Sequence, residues 1–139
     1  MTALDTSMAQ PHIALDNDDT GALITLTAQG VGTVTASDQL NRAGMGIKLV
    51  IDITAITGTS PTLTVTLQGK DTASGKYYNM LVSAALNAVA TTVLTVFPSA
   101  ATTANVSAND ILPRTFTVKA VVAGTTPAVT ATIGASIIG

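Results

Sequence analysis

Cysteine and tryptophan are absent from this 139-residue chain, and two tyrosines and two phenylalanines are its only aromatic side chains. Without cysteine there are neither disulfides nor thiolate metal ligands, and nothing in the sequence reports on redox compartment. Charge is scarce as well. Asp, Glu, Lys and Arg make up 10% of residues, against about 25% in ordinary soluble domains. Six basic residues and a net charge of −2 cannot build the phosphate-neutralising patch that nucleic acid demands, so no nucleic-acid partner is expected. No apolar run reaches the roughly 18 residues of a membrane-spanning helix, and no membrane association is expected. The first residues carry Asp5, no basic residue before Arg42 and no long apolar core. They do not read as a secretory signal, which predicts synthesis in a cytoplasm.

Threonine fills the space that charge leaves: there are 25 of them, set in strand-like positions that suit β-branched side chains. The stretch Met45–Val82 shows the pattern most clearly. Ile47, Leu49, Ile51 and Ile53 alternate with Lys48, Val50, Asp52 and Thr54; then Leu63, Val65 and Leu67 alternate with Thr62, Thr64, Thr66 and Gln68. A period of two puts each apolar set on one face of a sheet. Between these runs Thr57–Pro61 reads as a turn, and Asp71–Gly75 reads as a tight loop before the strand Lys76–Val82. Further strands are predicted at 22–28, 33–36, 92–97, 114–122 and 128–138, with a bend or bulge at Gly30 and Gly32 and a turn at Gly124–Pro127. Ser37–Gly44 is a polar connection with room for one helical turn, Ser83–Ala90 fits no single element, and 98–110 is a long small-residue loop. Internal repeats are not evident. Residues 1–20, interrupted by Pro11 and ending in an acidic cluster, read as an extended N-terminal arm, either disordered or laid across a neighbour through the stretch at Pro11 and His12, ahead of one domain at 21–139. The fold expected is all-β: an antiparallel β-sandwich or jelly roll of about eight strands.

Motifs that carry chemistry are few. Asp16-Asn17-Asp18-Asp19-Thr20-Gly21 begins like a calcium loop, but its twelfth position is Thr27 inside a strand, where a bidentate Glu is required. Gly69-Lys70-Asp71-Thr72-Ala73-Ser74-Gly75-Lys76 has the flavour of a phosphate loop. Its glycine spacing is one residue too long, Tyr77 stands where Ser or Thr is needed, and a strand follows where a helix should gather the amides. His12 is the sole histidine, and no G-x-S-x-G elbow accompanies it, so neither catalytic residues, metal nor cofactor is assigned. Asn105-Val106-Ser107 matches a glycosylation sequon by pattern alone. Lys76-Tyr77-Tyr78 holds both tyrosines on neighbouring strand positions. One should pack inward, and the other should face outward, either to anchor an interface, as tyrosines often do, or to cover a sheet edge. Arg114, one of two arginines, is placed to meet an acidic partner or to cap the 98–110 loop. Candidate interface residues are therefore Pro11, His12, Tyr77, Tyr78 and Arg114.

The runs TLTVTLQGKDTASGKYYNMLVSAAL (Thr62–Leu86), TTVLTVFPS (Thr91–Ser99) and NDILPRTFTVKAV (Asn109–Val121) resemble small virion structural proteins of tailed bacteriophages. The class they are most similar to is the jelly-roll type of head decoration, or cement, protein. GKDTASGKYY and LPRTF carry the likeness, which covers roughly residues 45–138. The resemblance implies a non-enzymatic protein of the capsid exterior. Such a protein binds major capsid protein, clamps neighbouring shell subunits, and works as a homo-oligomer, either dimer or trimer. Two other readings stay open: a host-surface or carbohydrate-binding module, and a tail-tube or connector subunit. The scarcity of Trp and Tyr counts against a sugar platform.

Overall fold

A computed structural model describes residues 22–138. Pro11, His12, the predicted arm at 1–20 and the Asp16–Gly21 stretch lie outside the described residues. Within them the chain is all-β and contains no helix, so no helix is long and apolar enough to cross a membrane. The strands in chain order are β1 (Ile24–Gln29), β2 (Gly32–Thr35), β3 (Gln39–Leu40), β4 (Gly46–Asp71), β5 (Lys76–Val82), β6 (Ala90–Val96), β7 (Ser107–Ala108) and β8 (Thr115–Ile138). They form one eight-stranded sheet. All pairings are antiparallel except β6 with β7, which makes the sheet mixed.

Two strands dominate. β4 and β8 pair with each other from Gly46↔Ile138 to Gly69↔Phe116. The expected turns at Thr57–Pro61 and Gly124–Pro127 therefore do not reverse the chain. A hairpin would pair 47–56 with 62–71, but each run finds its partner in the other long strand instead. Both supposed turns are irregularities within continuous strands, with register shifts between Ile53 and Thr62 and left-handed backbone at Gly58 (φ 120°), Ser60 (50°), Gly124 (125°) and Thr126 (45°). Extra residues with φ > 0 are how a ladder absorbs a bulge and changes direction without ending.

This junction exposes an internal repeat that does not stand out when the chain is read linearly. Gly58-Thr59-Ser60-Pro61 lies against Gly124-Thr125-Thr126-Pro127, with Thr59 paired to Thr125. A Cβ on Gly58 would sit 2.8 Å from Pro127 Cα, and one on Gly124 would sit 2.9 Å from Pro61 Cα. The equivalence extends to the strands that flank the junction, β7 having no counterpart. In the first half the order is β1, the C-terminal part of β8, the N-terminal part of β4, then β6. In the second it is β5, the C-terminal part of β4, the N-terminal part of β8, then β2 and β3. Exchanging β4 with β8 turns one half into the other.

Alternation then determines what is buried. Ile47, Leu49, Ile51 and Ile53 of β4 join Ile24, Leu26, Leu94, Val96, Val129, Ala131, Ile133 and Ala135 from the first half. Leu63, Val65, Leu67, Leu81, Phe116, Val118, Ala120 and Val122 come from the second half, and both sets belong to one apolar cluster. Between the halves Asn41 acts as a clasp: its Nδ2 donates to Gly44 O (2.9 Å) and Leu112 O (3.0 Å), and its Oδ1 accepts from Gly44 N–H (2.9 Å). Ser37–Gly44, where one helical turn had room, holds the short strand β3 instead, because Gln39 and Leu40 pair with Phe116 and Thr115.

Candidate interaction site at the hairpin end

The hairpin joining β4 to β5 is built locally. Asp71 pairs with Lys76, Gly75 takes φ 74°, and Gly75 N–H donates to Asp71 O at 2.8 Å. The Asp71 carboxylate accepts from Ser74 Oγ (2.7 Å) and from Ala73 N–H (3.3 Å). These bonds, the Ser74 hydroxyl above all, hold its carboxyl below the usual range. The loop expected at Asp71–Gly75 is thus in place, and the strand after it removes any phosphate-loop geometry.

Beyond the loop, Tyr77 and Tyr78 leave opposite sides of β5, yet neither is buried: they are 45% and 46% exposed. The expectation of one inward-packed tyrosine fails because the hairpin extends past the apolar cluster, whose sole buried β5 member is Leu81. Tyr78 lays its ring on Gly69, where an added Cβ would overlap the ring. Tyr77 turns to the other side. Its hydroxyl donates to Asp38 Oδ1 at 2.7 Å, and Lys70 Nζ donates to Asp38 Oδ2 at 2.7 Å. Lys70 also stands 5.4 Å from the Tyr77 ring centroid, within cation–π range. Asp38 belongs to the connection between β2 and β3, so this trio ties that connection to the hairpin across β8.

The electrostatics follow from the geometry. Donation by Lys70, then by Tyr77, holds the Asp38 carboxyl below the ordinary carboxylate range. The same carboxylate pushes the Lys70 ammonium and the Tyr77 phenol up. Sequence reading missed Asp38, because its partners lie 32 and 39 positions away and no local pattern encodes such a contact.

Arg114 comes to this same end of the sheet: its neighbour Thr115 pairs with Leu40, and Phe116 pairs with Gly69. Its side chain is exposed and enters no ion pair among the described residues, while its carbonyl accepts from Asn41 N–H at 2.7 Å. Three of the five candidate interface residues, Tyr77, Tyr78 and Arg114, therefore lie at one end of the sheet. Asn105 of the sequon pattern has φ 64° and donates Nδ2 to Val82 O at 2.9 Å.

This end presents two half-exposed rings, one arginine and a charge-assisted trio on a hydrogen-bonded hairpin. Such a surface can hold another protein by aromatic burial and directed hydrogen bonds. Among the described residues no group of three or more metal-ligating side chains is gathered. No protein-family model, curated protein or solved structure matches the chain.

Proposed function

We propose that this chain is a structural protein of a bacteriophage head. In this reading it folds as a sandwich of jelly-roll type, binds the outside of the capsid, and clamps neighbouring major-capsid subunits as a homo-oligomer. It performs no catalysis. The sandwich is supported by the single apolar cluster: a lone sheet has nothing to cover side chains with no exposure, such as Ile51 and Val65, unless its halves cover each other. The observation that carries the function is the hairpin end, where Tyr77 and Tyr78 stand half-exposed on a hydrogen-bonded hairpin in a chain with little charge. Modest affinity per copy suffices, because a shell offers many equivalent sites and an oligomer engages several at once.

The test mixes purified protein with undecorated heads and reads co-sedimentation, followed by imaging of the particles. Saturable binding at regular positions on the shell is expected. Tyr77→Ala and Tyr78→Ala should each weaken it about tenfold, the loss typical of an aromatic anchor. Removing residues 1–20 should weaken attachment further while leaving the sheet folded. Binding confined to tails or to glycans would overturn the reading.

A further inference from the structure

The outward face of the first half is self-complementary, and we propose that two copies of this chain pack through it about a two-fold axis along the row Val93–Val50–Gly134. Register defines three parallel rows across this face. They are Thr95–Lys48–Ser136, then Val93–Val50–Gly134, then Thr91–Asp52–Thr132–Thr25. Lys48, Thr91, Val93, Thr132 and Thr25 are exposed, and Val50, Asp52 and Gly134 are half-buried. Lys48 and Asp52 are the only charged side chains on the described strand segments of this half, and they flank Val50 symmetrically along β4.

That placement selects one geometry. Two faces in contact are related by a two-fold axis lying in the plane between them. An axis across the strands, along the central row, sets Lys48 of each copy over Asp52 of the other and Val50 over Val50. An axis along the strands sets Lys48 over Lys48 and Asp52 over Asp52, which like-charge repulsion disfavours. Thr91 Oγ1 already holds Asp52 Oδ1 at 3.1 Å, while Lys48 has no ion pair among the described residues. Small Thr, Ser, Gly and Val side chains let two sheets approach to about 10 Å, within reach of a lysine stem. The outward face of the second half is not comparable: the Asp38–Lys70 bond crosses it, and Thr66 and Thr117 there are already buried. Four strands about 4.8 Å apart, seven residues long, give roughly 400 Å² per copy. Standard interfaces bury about 800 Å² per partner, so the dimer should depend on concentration. The proposal does not rest on capsid binding, and failure to decorate heads would leave it standing.

Sedimentation equilibrium of the full chain tests it. The wild type should form a dimer that weakens as salt rises. Lys48→Asp and Asp52→Lys should each reduce self-association at least tenfold, because each sets like charges face to face twice. Mixed in equal amounts, the two variants should form a heterodimer of near wild-type affinity, since every contact then opposes unlike charges. Val50→Arg should abolish association while the circular dichroism spectrum stays native. A wild type that is monomeric at high concentration, a trimer, variants that fail to associate when mixed, or a salt-independent dimer would each overturn the proposal. So would a dimer that forms only after residues 1–20 are removed, because the face would then be occupied by the chain's own N-terminal segment.

Discussion

Asp38 gathers two donors, Lys70 and Tyr77, at 2.7 Å each, and that trio is where single side chains say most about this protein. Its contribution to stability has a definite sign. A carboxyl whose folded pKa is lowered stabilises the fold above its unfolded pKa, and the effect is lost as pH falls through the folded value. For Lys70, whose pKa is raised, the contribution is present at neutral pH and lost as pH rises through its folded value. Lys70→Met should move the Asp38 titration upward toward the ordinary aspartate range, and Tyr77→Phe should move it less, in line with the order of their effects. Carboxyl chemical shifts followed across the acid range check this; an Asp38 titration that neither variant moves would show that the trio does not persist in solution. In the interior, Phe116 is the largest fully buried side chain. Phe116→Ala should cost about 3–5 kcal/mol, read by denaturant unfolding, because the rigid β4–β8 ladder on which it sits limits collapse of the cavity.

At the level of elements, the alternating pattern locates strands well and turns unevenly. Asp71–Gly75 is legible because a two-strand hairpin is local, and its Asp, Ser and Gly chemistry acts within five residues. Thr57–Pro61 has similar composition and misleads, because its backbone irregularity bends a ladder whose partner lies far along the chain. The equivalence of Gly58 and Gly124 yields a sharp test. Gly58 has φ 120° and Gly124 φ 125°, and a methyl group added at either would come within 2.9 Å of a neighbouring proline Cα. Ala at either site would be strained and crowded, so Gly58→Ala and Gly124→Ala should destabilise by similar amounts, about 1–3 kcal/mol each. Thermal unfolding of the pair checks it, and a large difference between them would contradict the internal two-fold relationship.

For the molecule as a whole, one apolar cluster drawn from both halves makes cooperative unfolding the expectation, with no half stable without the other. Coincident loss of signal from Tyr77 and Tyr78 in the second half and from amides of β1 in the first would agree; two separate transitions would not. The sparse charge that composition revealed takes on a location here. The second half carries the Asp38–Lys70–Tyr77 trio and the hairpin, and the first half presents a Thr-rich face with one cation and one anion. The proposed roles divide accordingly, with capsid contact at the hairpin end and self-association on the first half.

Local pattern was enough to establish the all-β class of the described residues, which apolar residues of the long strands share a face, and how the Asp71–Gly75 hairpin closes. Alternation and turn chemistry are properties of a few consecutive residues, so they can be read without knowing any partner strand. The assembled sheet was needed to learn that β4 and β8 are continuous and paired, that GTSP meets GTTP, and that Asp38 reaches Lys70 and Tyr77. Those contacts join residues far apart in the chain, and strands of similar Thr–Val–Ile composition offer many nearly equivalent pairings until the whole core chooses one.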